Sequence, residues 1–173
     1  MKRTHERRAD IPFRWPEPPF RVVLVEPEIP PNTGNIARLC AATASPLHLV
    51  GPLGFRLTNA SLRRAGLDYW ESVRIFRHTD FDAFLREAAP PRAYLFSTAG
   101  TVSYADAAYA PGDALVFGCE SKGLPEELLR AYPGQVLGIP MRTEHVRSLN
   151  LATAVGIVLY EALRQVDQRP ARG

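Results

Sequence analysis

The chain has 173 residues, 46% of them hydrophobic, which is apolar material enough for one sizeable core and too little for two. Its formal charge of +3, from 21 basic and 18 acidic side chains, is a mild basic excess that suits a nucleic-acid partner but falls short of a polybasic tail. Cys40 and Cys119 read as small buried hydrophobes, the four histidines are scattered, no apolar run approaches a membrane span and the start lacks the apolar stretch of a signal peptide, so a cytoplasmic protein without metal or membrane partner is expected.

Residues 1–19, with Pro12, Pro16, Pro18 and Pro19 among charged groups, read as a poorly ordered N-terminal arm before a single domain over 20–168 and a tail at 169–173. The β-branched run at 21–26 predicts a strand. Pro30 and Pro31 stop it, because proline brings no N–H to a ladder, and Asn32-Thr33-Gly34 suits the N-terminus of a helix from about 34 to 44. A strand at 47–50, a short helix near 59–65 closed by Gly66, and a strand at 73–76 follow. Thr79-Asp80-Phe81-Asp82 offers an N-cap for a helix to about Ala88, Pro90-Pro91 ends it, and 92–97 reads as a strand. The second half repeats the rhythm with a strand at 114–117, a helix at 125–131 opened by Pro125 and a strand at 136–139. Alternation of this kind predicts an α/β fold, a mostly parallel sheet with helices on both faces. The last helix, from Asn150 to about Gln165, carries Leu151, Val155, Val158 and Ala162 on one face, yet Ile157, Leu159 and Leu163 make other faces apolar as well. Such a helix needs more cover than one sheet provides, which points to a homodimer interface; the competing reading is a helix sunk in its own core.

Three loops that follow predicted strands carry the polar groups of interest. The first runs from Asn32 to Arg38. The second, Phe117-Gly118-Cys119-Glu120-Ser121-Lys122-Gly123-Leu124-Pro125, sets a lone carboxylate between two glycines that allow close backbone approach. The third runs from Ile139-Pro140-Met141 to Arg147-Ser148-Leu149-Asn150, with Ser148 expected as N-cap of the last helix. Each has an ordinary explanation as a turn or cap. Their joint placement beyond strand ends, where open α/β sheets bind ligands, favours a site. The loop after the first strand has no Gly-x-Gly-x-x-Gly, and neither a phosphate-binding Gly-x-x-x-x-Gly-Lys-Ser/Thr loop nor a Gly-x-Ser-x-Gly elbow occurs in the chain.

These three loops resemble the three motifs of the SPOUT superfamily of RNA methyltransferases. Glu26-Pro27-Glu28-Ile29-Pro30-Pro31-Asn32 and Leu62-Arg63-Arg64-Ala65-Gly66-Leu67-Asp68-Tyr69-Trp70 are similar to a narrower group, the small tRNA (cytidine/uridine) 2′-O-methyltransferases acting on the wobble nucleotide, position 34. The resemblance implies a C-terminal deep trefoil knot, a homodimer through the C-terminal helix and knot region, tRNA as partner, and S-adenosyl-L-methionine as donor with S-adenosyl-L-homocysteine as product. It implies cofactor contacts from Phe96, Thr98, Gly100, Gly118, Ile139, Met141, Ser148 and Leu149. It makes Arg38 the leading catalytic residue, with Asn32, Glu120, Ser148 and Asn150 orienting Arg38, the ribose and the cofactor. A guanidinium is effectively always protonated, so Arg38 suits an alkoxide stabiliser or a phosphate grip better than a base. In a dimer, Arg63, Arg64, Arg142 and Arg147 could meet the RNA. A related enzyme acting on another tRNA site or on ribosomal RNA, and a non-catalytic RNA-binding module, are the alternatives.

Overall fold

The first strand, β1 (Arg21–Val25), is apolar at four successive positions, and each parity faces a different core. Val22 and Leu24 join one cluster and Val23 and Val25 another, as a strand buried on both sides requires. The computed structural model describes residues 11–57, 72–142 and 144–167. Within them the chain runs β1, α1 (Pro30–Thr43), β2 (Leu47–Val50), β3 (Ile75–His78), α2 (Phe81–Ala88), β4 (Ala93–Phe96), β5 (Val102–Ser103), β6 (Ala114–Phe117), α3 (Glu126–Ala131), β7 (Val136–Gly138) and α4 (Leu151–Val166). The seven strands form one sheet in the order β3-β2-β1-β6-β4-β7-β5, and every pairing in it is parallel.

Helices cover both faces, as expected. Ile36, Ala37 and Cys40 of α1 pack with Val155, Val158, Leu159, Ala162 and Leu163 of α4 on one side. Phe84 of α2, with Leu128 and Leu129 of α3, covers the other. Each fully buried Leu or Val contributes about 1.5–3 kcal/mol of apolar transfer free energy, so these two layers hold the sheet. Leu159 and Leu163, expected on faces of α4 turned from the core, are inside it. Its outward positions are Thr153, Ile157, Tyr160 and Arg164, of which Ile157 is half-buried and Tyr160 is half exposed. No helix among the described residues is long and apolar enough to cross a membrane.

Several expected boundaries shift. Helix α1 begins at Pro30 rather than near 34, because proline presets helical φ and its missing N–H falls among the amides that a first turn leaves unpaired anyway. The strand expected at 73–76 lies at Ile75–His78. β5, two residues long, was beyond any periodicity signal; it forms because β7 lies beside it, pairing Val102 with Leu137 and Ser103 with Gly138. β4 and β5 thus flank β7, and the loop 97–101 that joins them straddles it. At Gly100 that loop passes so close that a Cβ would sit 2.3 Å from the carbonyl carbon of Leu137. Residues 11–20 form no helix or strand, but Phe13 packs on the core and the Arg14 amide donates to Asp167 Oδ1 at 3.3 Å. The expected helix at 59–65 and the motif at 62–70 lie outside the described residues.

At the β2–β3 edge a chain of hydrogen bonds running inward from the exposed Glu87 constrains a protonation state. His78 Nδ1 lies 2.6 Å from Glu87 Oε2, and His78 Nε2 lies 2.9 Å from His48 Nδ1. If the carboxylate accepts from His78 Nδ1–H, then His78 Nε2 accepts from His48 Nδ1–H, and His48 Nε2 is left as a buried acceptor. Burial first, then the electrostatic influence of His78 and of the Arg21 and Arg74 guanidinium groups, pushes the His48 pKa down from 6.5 to about 3. The unfolded chain therefore takes up a proton that the fold refuses. The contribution to stability is complete above pH 6.5 and is lost as pH falls toward 3, at up to about 1.4 kcal/mol per pH unit. Urea denaturation from pH 7 to 4 is expected to show a shallower loss of stability in His48→Asn, whose amide keeps a donor near Nδ1, than in the parent; coincident slopes would contradict a neutral His48.

Candidate active site

The strands β1, β6, β4 and β7 are consecutive in a parallel sheet, so the loops leaving their carboxyl ends open on one rim. The first loop leaves β1 at Glu26, held at φ 51° while its N–H donates to the Val50 carbonyl at 2.8 Å. It then enters α1 at Pro30 with no side-chain cap. Asn32 is consequently the third helical residue, and its side chain is available to other loops.

Glu120, in the loop after β6, gathers that entrance. Its Oε2 accepts from the Glu28 amide at 2.8 Å, and its Oε1 accepts from the Ile29 amide and from Asn32 Nδ2, both at 3.1 Å. Asn32 Oδ1 in turn accepts from Asn150 Nδ2 at 3.0 Å, and Asn150 Oδ1 accepts from the Thr153 amide at 3.2 Å. Asn150, two residues past the expected Ser148, is thus the N-cap of α4; both types fit that role, and the cap bond decides. One continuous path, Glu120 to Asn32 to Asn150, joins all three loops.

Beside this path lies a cavity of about 550 Å3, within the ~300–1,000 Å3 of small-molecule sites. Phe96 and Phe117, in register at the ends of β4 and β6, stack at 4.9 Å between ring centroids and border it. Thr98, Gly118, Ile139, Met141, Ser148 and Leu149 also line it, as do Asn32, Glu120 and Asn150. An aromatic pair and aliphatic side chains for an apolar ring, together with the polar groups of Thr98, Ser148 and the Glu120–Asn32–Asn150 path, fit a nucleoside-bearing ligand such as S-adenosylmethionine. Arg38 is exposed on α1 and stands outside the lining, and so does Gly100, which packs against β7. Ile29, Ser97 and Ser121, none of them expected from the sequence, border the cavity too, and so does Arg147, expected to meet the RNA. Of these, Ser121 and Ile29 lie inside the quoted motifs, and their neighbours were the signal. Cys119, expected to be buried, is half-exposed at the cavity, whereas burial pushes the Cys40 thiol up to about 12, as for an inert core cysteine.

The model of the SpoU rRNA Methylase family matches residues 19–160. A tRNA (cytidine(34)-2'-O)-methyltransferase of Burkholderia ambifaria is 50% identical over 149 residues, covering 84% of this chain and 95% of that protein. A solved structure concerned with the 2-OH methylation of C/U34 on tRNA superposes with a TM-score of 0.78 at 51% identity, covering 85% of this chain and 95% of that one. An AdoMet-bound rRNA methyltransferase from Sinorhizobium meliloti gives a TM-score of 0.73 at 32% identity, covering 85% of this chain and 56% of its own.

The second loop depends on the absence of a side chain at Gly118. A Cβ there would lie 2.0 Å from the carbonyl carbon of Gly123 and 2.1 Å from the Leu124 nitrogen, both backbone. Gly118→Ala is expected to lower stability by about 1–3 kcal/mol, as overpacking does. Gly134→Ala, which meets nothing within 4 Å, is expected to stay within about 0.5 kcal/mol of the parent. Thermal denaturation of both variants checks this.

Proposed function

The chain belongs to the SpoU rRNA Methylase family, and on that footing we propose that it methylates the ribose 2′-hydroxyl of nucleotide 34 in tRNA, with S-adenosylmethionine as donor. The observation that carries this reading is the Glu120–Asn32–Asn150 path, which ties three strand-end loops together beside a cavity of cofactor size. The relatives' substrate supports the choice of nucleotide, and tRNA as substrate supports work in the cytoplasm.

Bound S-adenosylmethionine supplies a methyl group on a sulfonium; the new bond is from the 2′-oxygen to that carbon, the S–CH3 bond breaks, and the hydroxyl proton leaves to solvent or buffer. The residues of the chain do the remaining work. Phe96, Ile139, Met141 and Leu149 enclose the apolar part of the cofactor, while Thr98, Gly118 and Ser148 offer polar and backbone groups to the rest. Gly100 acts indirectly, by letting the 97–101 loop lie against β7. The same loop supports the expected deep trefoil knot, since a strand flanked on both sides by one earlier segment is the crossing such a knot needs.

Asn32, held by Glu120 and Asn150, fixes the start of α1, and α1 carries Arg38. With its charge permanent, the guanidinium stabilises the developing alkoxide of the ribose rather than removing its proton. Its exposure suits a group that meets an RNA arriving from solvent. The outer face of α4, with Ile157 and the half-exposed Tyr160, supports a second copy of the chain as the cover that this helix lacks. Arg142 and Arg147, both exposed beyond β7, supply positive charge for the tRNA backbone.

Arg38→Ala is expected to reduce methyl transfer to tRNA at least about 100-fold, the scale of removing one electrostatic stabiliser, while calorimetric affinity for S-adenosylmethionine stays within about threefold. Parent-like turnover would remove Arg38 from the mechanism. Light scattering at micromolar concentration is expected to give the mass of a dimer, and a monomer would contradict the α4 interface.

A further inference from the structure

Glu28 is the other half of the junction around Glu120. Its Oε1 accepts from the Ser121 hydroxyl at 2.8 Å and its Oε2 from the Ser121 amide at 3.1 Å. In return Glu120 accepts from the amides of Glu28 and Ile29. Two carboxylates on facing loops therefore each take donors from the other loop, and the donors between them offset a repulsion that would otherwise part the loops. Residue 28 is also pressed from behind. The Gly54 amide donates to the Pro27 carbonyl at 3.0 Å, and a Cβ on Gly54 would sit 2.8 Å from the Glu28 Cα.

We propose that Glu28 is a positioning residue for methyl transfer: its carboxylate anchors the loop that carries Glu120, and thereby sets the substrate-side helix α1 against the cofactor cavity. This rests on the methyltransferase reading of the site. The clamp is a poor device for stability. Ser121 is exposed and Glu28 only half-buried, and such hydrogen bonds add little net free energy in water. It is a good device for geometry, because one carboxylate taking two donors from a single residue fixes direction as well as distance. In an in-line transfer a displacement of about 1 Å costs up to roughly 100-fold in rate.

The test compares the full-length parent with Glu28→Ala, Glu28→Gln, Ser121→Ala and the Glu28→Ala/Ser121→Ala double variant. In Glu28→Ala, kcat on tRNA is expected to fall roughly 10- to 100-fold. S-adenosylmethionine affinity and tRNA KM should stay within about threefold, the pattern of an interaction realised in the transition state. Glu28→Gln, which keeps one acceptor for the Ser121 hydroxyl, should fall between the two, and the double variant should be no worse than Glu28→Ala, since both changes break one clamp. Hydrogen exchange reads the clamp without catalysis: the Ile29 amide, which donates to Glu120 and not to Glu28, should exchange faster in both Glu28 variants. Unchanged Ile29 exchange, or kcat within twofold of the parent, overturns the proposal. If the parent methylates no tRNA, the functional reading falls and the exchange arm still judges the clamp.

Discussion

The carboxylate of Glu120 is the point on which the site depends. It takes three donors, two backbone amides and the Asn32 side chain, all from the segment that leads into α1. That segment begins its helix on two prolines without a side-chain cap, so the prolines set the first turn but no local side chain ties that turn to the loops around it. The anchor comes instead from a loop some ninety residues away in sequence. Asn32 passes the constraint to Asn150, which caps α4, and so the starts of the two helices that cover one face of the sheet are set by a single chain of hydrogen bonds. The apolar cores hold the strands together; this polar path decides how the loops above them meet.

The sheet determines which loops can meet at all. With β6 between β1 and β4, and β7 inserted between β4 and β5, strands distant in sequence become neighbours and their carboxyl ends share a rim. The insertion demands close backbone approach at Gly100, against Leu137 of β7, and the tight turn after β6 demands it at Gly118, against Gly123 and Leu124; at both, any side chain would strike main-chain atoms. The cavity that results has two kinds of lining, the stacked Phe96–Phe117 pair and the Glu120–Asn32–Asn150 path. Such a lining suits a reaction between a bound cofactor and a polymer that enters from outside.

Much of this was legible in the sequence, and for identifiable reasons. β2 and β6 match their expected residues because both are short apolar runs bounded by clear breaks, Pro46 ahead of one and Gly118 behind the other. The convergence of the three loops followed from parallel strands alone. What could not be read was long-range. β5 exists only because β7 pairs with it, and Asn150 caps α4 where Ser148 had equal local claim. Arg38 sits in the same motif as Asn32, yet the intervening helical residues carry it outside the cavity lining. Glu28 lies in a quoted motif, but the motif does not say what its carboxylate holds; that contact appears only when Ser121 is brought across the rim to meet it.

On this reading the three loops build a methyl-transfer site for the wobble ribose of tRNA. Incubating the protein with isotope-labelled S-adenosylmethionine and total tRNA, then mapping the label by mass spectrometry of nuclease fragments, tests it most directly. The account predicts label on the 2′-oxygen of nucleotide 34. Label on a base, on another tRNA position or only on ribosomal RNA added in parallel would contradict it.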